Sequence, residues 1–384
     1  MSRVAIVLPL LAMTGTATAI VPKAAPTSCQ RVYFGTQDPS RGISTALLDL
    51  RTGQLSPPQR AASLPRATWL LADRAGTMLY ATSDPRDQPG TTPLVAAYAI
   101  DRASGDLRRI GAVEPGGQGP THLSLDAKSR TLFVALYGSG QVAALPLDKG
   151  GQPSAPASVQ TDTGTGPTPR QTGAHAHAAV LDPTGRFLLI PDLGADRVFV
   201  YRFDRRSRAL SPAPVPFLQL PPGTGPRHLV FAPDGRTAYL VSELSAEVRT
   251  LRWDAAAGII TVLQTTPLAA AGLSGPKSAS EIAISHDGAH LYVGDRTTNG
   301  IMVFAVDRRG GTISETQRIS TGGKAPWSFA LSADERWMVV ANQASDSISI
   351  LPRDRNTGRL APAVAQASLS KPVAVAFAGG GTPC

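Results

Sequence analysis

The stretch Ala178-Ala-Val-Leu-Asp-Pro-Thr-Gly-Arg-Phe-Leu-Leu-Ile-Pro-Asp-Leu-Gly-Ala-Asp-Arg-Val-Phe-Val-Tyr-Arg-Phe-Asp204 alternates short apolar runs with turn-forming residues. An apolar strand leads into Asp-Pro-Thr-Gly185, a second apolar strand leads into a polar corner, and a third ends at Phe203-Asp204. Such runs bounded by Gly, Pro and Asp read as strands. The same order recurs along the chain, with third strands ending at Leu48-Asp49, Ile100-Asp101, Leu147-Asp148, Phe203-Asp204, Trp253-Asp254, Val306-Asp307 and Arg353-Asp354, at intervals of 47 to 56 residues. A period near fifty with several strands per unit is a propeller signature, because one small sheet cannot bury both faces and must stack on its neighbours around an axis. The chain is expected to be all-β, a seven-bladed β-propeller.

The first unit, Arg31 to Leu55, lacks the front half that the others have, and Lys371 to Phe377 supplies a matching strand at the far end. Ring closure is therefore expected through pairing of this C-terminal strand into the first blade, which removes open sheet edges. Cys29 precedes the first strand and Cys384 is the last residue; we expect a disulfide between them, with two unpaired thiols as the alternative. Met1-Ser-Arg3, the apolar run Val4 to Met13 and the small residues up to Ala19 read as a secretory signal peptide, too short for a membrane span. The division expected is a signal peptide over 1–19, a linker over 20–29, the propeller over 30–379 and a tail over 380–384. The expected location is periplasmic or secreted.

The 37 Gly and 33 Pro suit a fold of many turns. Net charge is +9, but the arginines are scattered over the corners of the repeats and are not interleaved with aromatics. A solvated basic surface is the reading, and no nucleic-acid partner is expected. Aligned on their first strands, successive units begin with His122, His177, His228 and Glu281, and fifteen residues after each stand Tyr137, Asp192, Glu243 and Arg296. Trp327 and Asn342 keep the same offset. Equivalent positions in a repeat lie at equivalent heights, so these ten side chains are expected to form two rings at one mouth of the central channel, where propellers bind ligands. For any one of them, a side chain bonded to backbone between blades is the alternative. His175-Ala-His177 invites a metal, but no carboxylate or Cys at ligand spacing accompanies it, and neither metal nor other cofactor is expected. A G-x-S-x-G elbow, a phosphate-cradling Gly-Lys loop and a C-x-x-C-H haem motif are all absent from the sequence.

Gly173-Ala-His-Ala-His-Ala-Ala-Val-Leu-Asp-Pro-Thr-Gly185 with its continuation to Tyr201, Gly225-Pro-Arg-His-Leu-Val-Phe231, Ser242-Glu-Leu244, Ala341-Asn-Gln-Ala-Ser-Asp-Ser-Ile348 and Tyr33-Phe-Gly-Thr36 strongly resemble the propeller lactonases. That group includes propeller-type 6-phosphogluconolactonases and fungal carboxy-muconate cyclases. The resemblance implies a metal-free site of one His, one Glu and two Arg, which fall on His177, Glu243, Arg227 and Arg296. His122, Tyr137, Asp192, His228, Glu281, Trp327 and Asn342 would complete a substrate pocket. Lactone hydrolysis needs a base for water, cations for the oxyanion and a proton for the departing alkoxide. His177 or Glu243 would serve as base and acid, and the two arginines as clamps. Two departures stand out: Pro326-Trp327 replaces the family's usual Pro-Arg, and Gly294-Asp-Arg296 places Asp295 where it would offset Arg296 if the two met.

An exported enzyme would meet unphosphorylated aldono-lactones such as gluconolactone. The expected function is hydrolysis of such a lactone to the aldonic acid by a monomer whose partner is the small-molecule substrate. A muconate-type cyclase or isomerase and a non-catalytic binding propeller are the alternatives, since fold alone does not fix function.

Overall fold

The computed structural model describes residues 1–2, 29–85, 91–268, 275, 277–382 and 384. The expected signal peptide, apart from its first two residues, and the linker before Cys29 lie outside the described residues. Seven four-stranded antiparallel sheets are arranged in chain order. The first combines Pro372–Thr382 with Cys29–Thr36, Ile43–Asp49 and Gln59–Ala62, so the C-terminal strand does complete the first blade. Six further blades begin with the innermost strands Ala67–Ala72, Pro120–Asp126, Val180–Leu181, Pro226–Phe231, Ala279–Ile284 and Pro326–Leu331.

Burial explains the strand sequences. Second strands are buried on both faces and read as continuous apolar runs, as in Thr131–Leu136 and Phe187–Asp192. Outer strands meet solvent on one face and alternate, as in Ile313–Ser320. Each of the seven blade junctions is filled by its own cluster of buried apolar side chains; one of them joins the last blade to the first through Val339, Ile348 and Ile350 against Val32, Phe34 and Leu48.

The aspartates that mark the repeat have a local cause. The Asp101 carboxylate accepts from the amides of Ala103 and Ser104, and its carbonyl accepts from Gly105 N–H at 2.7 Å. Gly105 sits at φ +85°, open to glycine and strained for other residues. Its carbonyl then accepts from the Tyr33 hydroxyl of the preceding blade at 2.9 Å. Tyr239 to Gly311 and Tyr292 to Gly358 repeat this latch. Each of these three turns thus ties one sheet to the next.

The expected disulfide is present between Cys29 and Cys384. One boundary differs from the sequence reading: Gly380 and Gly381 were assigned to a tail, yet the last strand runs to Thr382, with Gln30 opposite Gly381 and Cys29 opposite Thr382. Gly379 admits the close approach of the next blade, since a Cβ there would stand 2.3 Å from the Arg74 carbonyl oxygen. Among the described residues no helix is long and apolar enough to cross a membrane.

Candidate active site

Five innermost strands carry a β-bulge at the same end. Pro226 opposes Ser242, whereas His228 opposes Val241, leaving Arg227 as the extra residue. The irregularities at Ala67/Trp69, Pro120/His122, Ala279/Ile282 and Pro326/Ser328 are equivalent. A bulge bends the strand and re-aims its side chains. Here it turns consecutive residues toward one channel mouth, where a cavity of about 410 Å³ is lined by Tyr137, Arg170, His177, Arg227, His228, Glu243, Arg296 and Trp327, with Trp69 and Arg66 on another side.

Glu243 is the hub. Arg227 Nε stands 3.1 Å and Arg296 Nη2 2.7 Å from its carboxylate, Arg170 Nη1 donates to Oε1, and His177 Nε2 lies 3.9 Å from Oε2. Burial alone would raise its pKa, but Arg296 and Arg227, helped by His177 and Arg170, outweigh burial and hold the carboxyl well below the usual range. Glu243 is therefore ionised at neutral pH. Burial and the nearby Arg296 push Arg227 down to about 10, so it stays charged there.

Three histidines and an indole pack together at the mouth. His228 stands 5.2 Å from His177, 5.4 Å from His122 and 5.2 Å from Trp69, ring centre to ring centre. Burial, then Arg227, drives His177 and His228 well below the ordinary histidine range. His122 is pushed down to about 3, chiefly by burial, and its Nδ1 accepts from the Ala179 amide. All three are neutral at pH 7. Glu281 sits behind His228, its Oε1 2.7 Å from Nδ1, and burial raises its pKa against the pull of Arg227.

The cavity lining thus unites the four residues His177, Arg227, Glu243 and Arg296, together with Tyr137, His228 and Trp327. His122 and Glu281 stand next to it through His228. Asp192 and Asn342 do not reach it. Asp192 is fully buried and its Oδ1 accepts from the amides of His175 and Ala195, both at 2.8 Å; the Asn342 amide donates to Ser349 Oγ at 2.9 Å. The two regular rings expected from the sequence are corrected by one residue of register. Ala176 opposes Asp192 and Pro326 opposes Asn342, as Pro226 opposes Ser242. His177 and Trp327 therefore match Arg227 and not His228, and Asp192 and Asn342 match Ser242, inside the blade. Shifting one residue along a strand turns a side chain to the opposite face.

Trp69 and Asp84 share the fifteen-residue offset and were legible by that rule, though the sequence reading passed over them. Arg170 comes from the connection after Thr161, has no counterpart in the repeat, and gave no signal; it also donates to the Tyr137 hydroxyl at 3.1 Å. Asp295 accepts from Thr297 and Thr298 in its own turn. Arg296 is instead engaged by Glu243. Among the described residues no cluster of three or more His, Cys, Asp or Glu has the geometry to hold a metal ion.

The family profile described as lactonase, 7-bladed β-propeller, matches residues 31–377. The chain is 32% identical over 347 residues to a 6-phosphogluconolactonase of Bacillus subtilis (strain 168), covering 90% of this chain and 97% of that one. Among solved structures, the periplasmic gluconolactonase PpgL of Pseudomonas aeruginosa superposes with a TM-score of 0.87 at 34% identity, over 91% of this chain and 99% of that one. A protein of Lactobacillus plantarum gives a TM-score of 0.84 at 30% identity, over 91% and 99% of the two chains. By both the profile and these relatives, the chain belongs to the lactonase family of seven-bladed β-propellers.

Proposed function

We propose that this protein is an exported lactonase that hydrolyses an unphosphorylated aldono-lactone, such as gluconolactone, to the aldonic acid. The observation that carries the reading is the hub of Glu243 under Arg170, Arg227 and Arg296 beside neutral His177 and His228 in one cavity. Water adds to the lactone carbonyl and gives up a proton to a basic nitrogen. The carbonyl becomes an oxyanion facing the guanidiniums, and the ring C–O bond then breaks as the carbonyl re-forms and the proton passes to the departing ring oxygen. Ionised Glu243 holds the arginines in place and is a poor proton carrier, which moves acid–base work to the histidines.

Three features favour a neutral sugar. Each pocket arginine is already engaged: three on Glu243, and Arg66 on the Asp84 carbonyl at 2.9 Å. Trp327 stands where the family usually has a further arginine. The signal-like N-terminus and the disulfide suit an oxidising compartment outside the cytoplasm, as does the similarity to a periplasmic gluconolactonase. The test is proton release at constant pH from gluconolactone and from its 6-phosphorylated counterpart. The neutral lactone is expected to turn over faster, and folded His177→Ala and Glu243→Gln variants are expected to be inactive. The reverse ranking would overturn the substrate assignment; equal, slow hydrolysis by wild type and variants would overturn the enzymatic one.

A further inference from the structure

We infer that His228 is the base that takes the proton of the attacking water and that Glu281 is its positioning residue, an inference that rests on the lactonase reading above. The other two candidates are removed by their surroundings. Glu243 is locked as a carboxylate by three guanidiniums. His177 Nε2 lies 3.9 Å from that carboxylate, beyond hydrogen-bond length but near enough for the anion to favour the tautomer with its hydrogen there, and its Nδ1 is buried without a partner among the described residues. His177 is thus turned toward the anionic hub.

His228 has the opposite arrangement. Glu281 Oε1 already accepts the Ile282 amide at 3.1 Å, and Oε2 accepts the Ser328 hydroxyl at 3.2 Å. An oxygen accepting from backbone on one side is an acceptor for the imidazole on the other, so Nδ1–H of His228 donates to it at 2.7 Å. The tautomer this fixes leaves the lone pair on Nε2. Glu281 lies behind the ring and outside the cavity lining, whereas His228 lines it. Arg227 Nη1 stands 3.1 and 3.3 Å from the two ring nitrogens, shared between them, and also donates to the Ser280 carbonyl at 2.6 Å. In the reaction the water O–H bond breaks, its electrons form the bond to the lactone carbonyl carbon, and the proton goes to Nε2. That proton then passes to the ring oxygen as the C–O bond opens. The imidazolium formed in between is held by the carboxylate of Glu281, a carboxylate–histidine relationship of the kind that orients bases elsewhere.

The experiment combines imidazole NMR with kinetics on the full chain. Long-range proton–nitrogen correlations of nitrogen-15-labelled protein, with the His228 signals assigned by their loss in His228→Gln, are expected to show the Nδ1–H tautomer. Glu281→Gln is expected to lower kcat about 10- to 100-fold and His228→Gln at least about 100-fold, with KM for gluconolactone within about threefold of wild type. Ser328→Ala is expected to have a smaller effect of the same kind. An Nε2–H tautomer in wild type would overturn the inference even if both variants fail to fold. Folded His228→Gln retaining kcat within about threefold, from an active wild type, would sink the base role alone. A wild type inert on every lactone would remove the lactonase reading and the base role together.

Discussion

The guanidinium carbon of Arg296 lies 4.4 Å from the centre of the Trp327 ring, and the same guanidinium reaches Glu243 at 2.7 Å. The indole of Trp327 thus supports the arginine that Glu243 engages. Arg296 is therefore fixed between a π face and a carboxylate.

Trp327→Ala removes that support. A cation–π contact contributes about 0.5–2 kcal/mol depending on desolvation. If it is used to hold Arg296 for the oxyanion, kcat/KM should fall by about 3- to 30-fold, and Trp327→Phe should recover most of the loss. Steady-state hydrolysis of gluconolactone by the three proteins measures this. An alanine variant as active as wild type would mean that Glu243 alone orients Arg296.

Glu243→Gln leaves Arg170, Arg227 and Arg296 facing an amide. Breaking a buried ion pair by removing one partner costs about 3–5 kcal/mol, because the surviving charges stay desolvated. Arg227, at 2% exposure, carries most of that cost, since Arg170 is half exposed and can turn to solvent. The urea midpoint should drop accordingly while lactone hydrolysis falls by at least about 100-fold. An unchanged midpoint would show that the hub contributes no net stability.

The ring count, the closure and the clasp were legible because each rests on a feature with a short sequence signature: the Asp-x-x-x-Gly turn, a half-unit at each end, and two terminal cysteines. The site was legible only to within one residue. A fifteen-residue offset joins His228 to Glu243 and equally joins His177 to Asp192, but the first pair lies across the bulge on the channel side and the second does not. Apolar periodicity cannot locate a bulge, because the innermost strands are short and nearly all buried at that end. Arg170 was hidden for another reason, since a loop outside the repeat inherits no position from its neighbours.

Cys384→Ser should destabilise the fold without touching the site. The bond joins residues 355 apart in sequence and secures the pairing of the last strand onto the first. Removal of a native disulfide commonly costs about 2–5 kcal/mol. Thermal unfolding with and without reductant should show wild type losing stability on reduction, the serine variant showing no response to reductant, and kcat of the folded variant unchanged. A variant as stable as oxidised wild type would show that the sheet pairing alone closes the ring.

The histidines at the channel mouth set an acid limit. His122, His177 and His228 have folded pKa values below 6.5, chiefly through burial, so the unfolded chain binds protons that the native state refuses. Their stabilising contribution is full above about pH 6.5 and is lost as pH falls, for His122 down to about 3. Each such group adds a slope of about 1.4 kcal/mol per pH unit within its window. Urea unfolding between pH 6 and 4 should give a shallower pH dependence for His122→Gln than for wild type. Equal slopes would place the proton uptake elsewhere.

Asp162 and Asp192 work in the opposite sense. Both are buried, each has an Oδ2 without a partner among the described residues, and Asp162 Oδ1 accepts from the Tyr201 hydroxyl at 2.5 Å. Burial, reinforced by Asp192, raises the Asp162 pKa well above the carboxylate range. The native state therefore keeps a proton that the unfolded chain gives up near pH 4, and stability falls as pH rises from there toward the folded value. Asp162→Asn supplies the proton permanently: its amide oxygen can still accept from Tyr201 while its NH2 group can donate to Asp192. Asp192 remains free to hold the amide of His175, in the connection bearing Arg170, and that of Ala195 in the turn that follows Asp192. The variant should be more stable than wild type at pH 8, with the difference shrinking toward pH 4, and its KM for the lactone should be unchanged. Destabilisation at pH 8 would mean that both carboxyls are ionised in the native state, and that a charge on Asp162 is needed to hold the loop over Glu243.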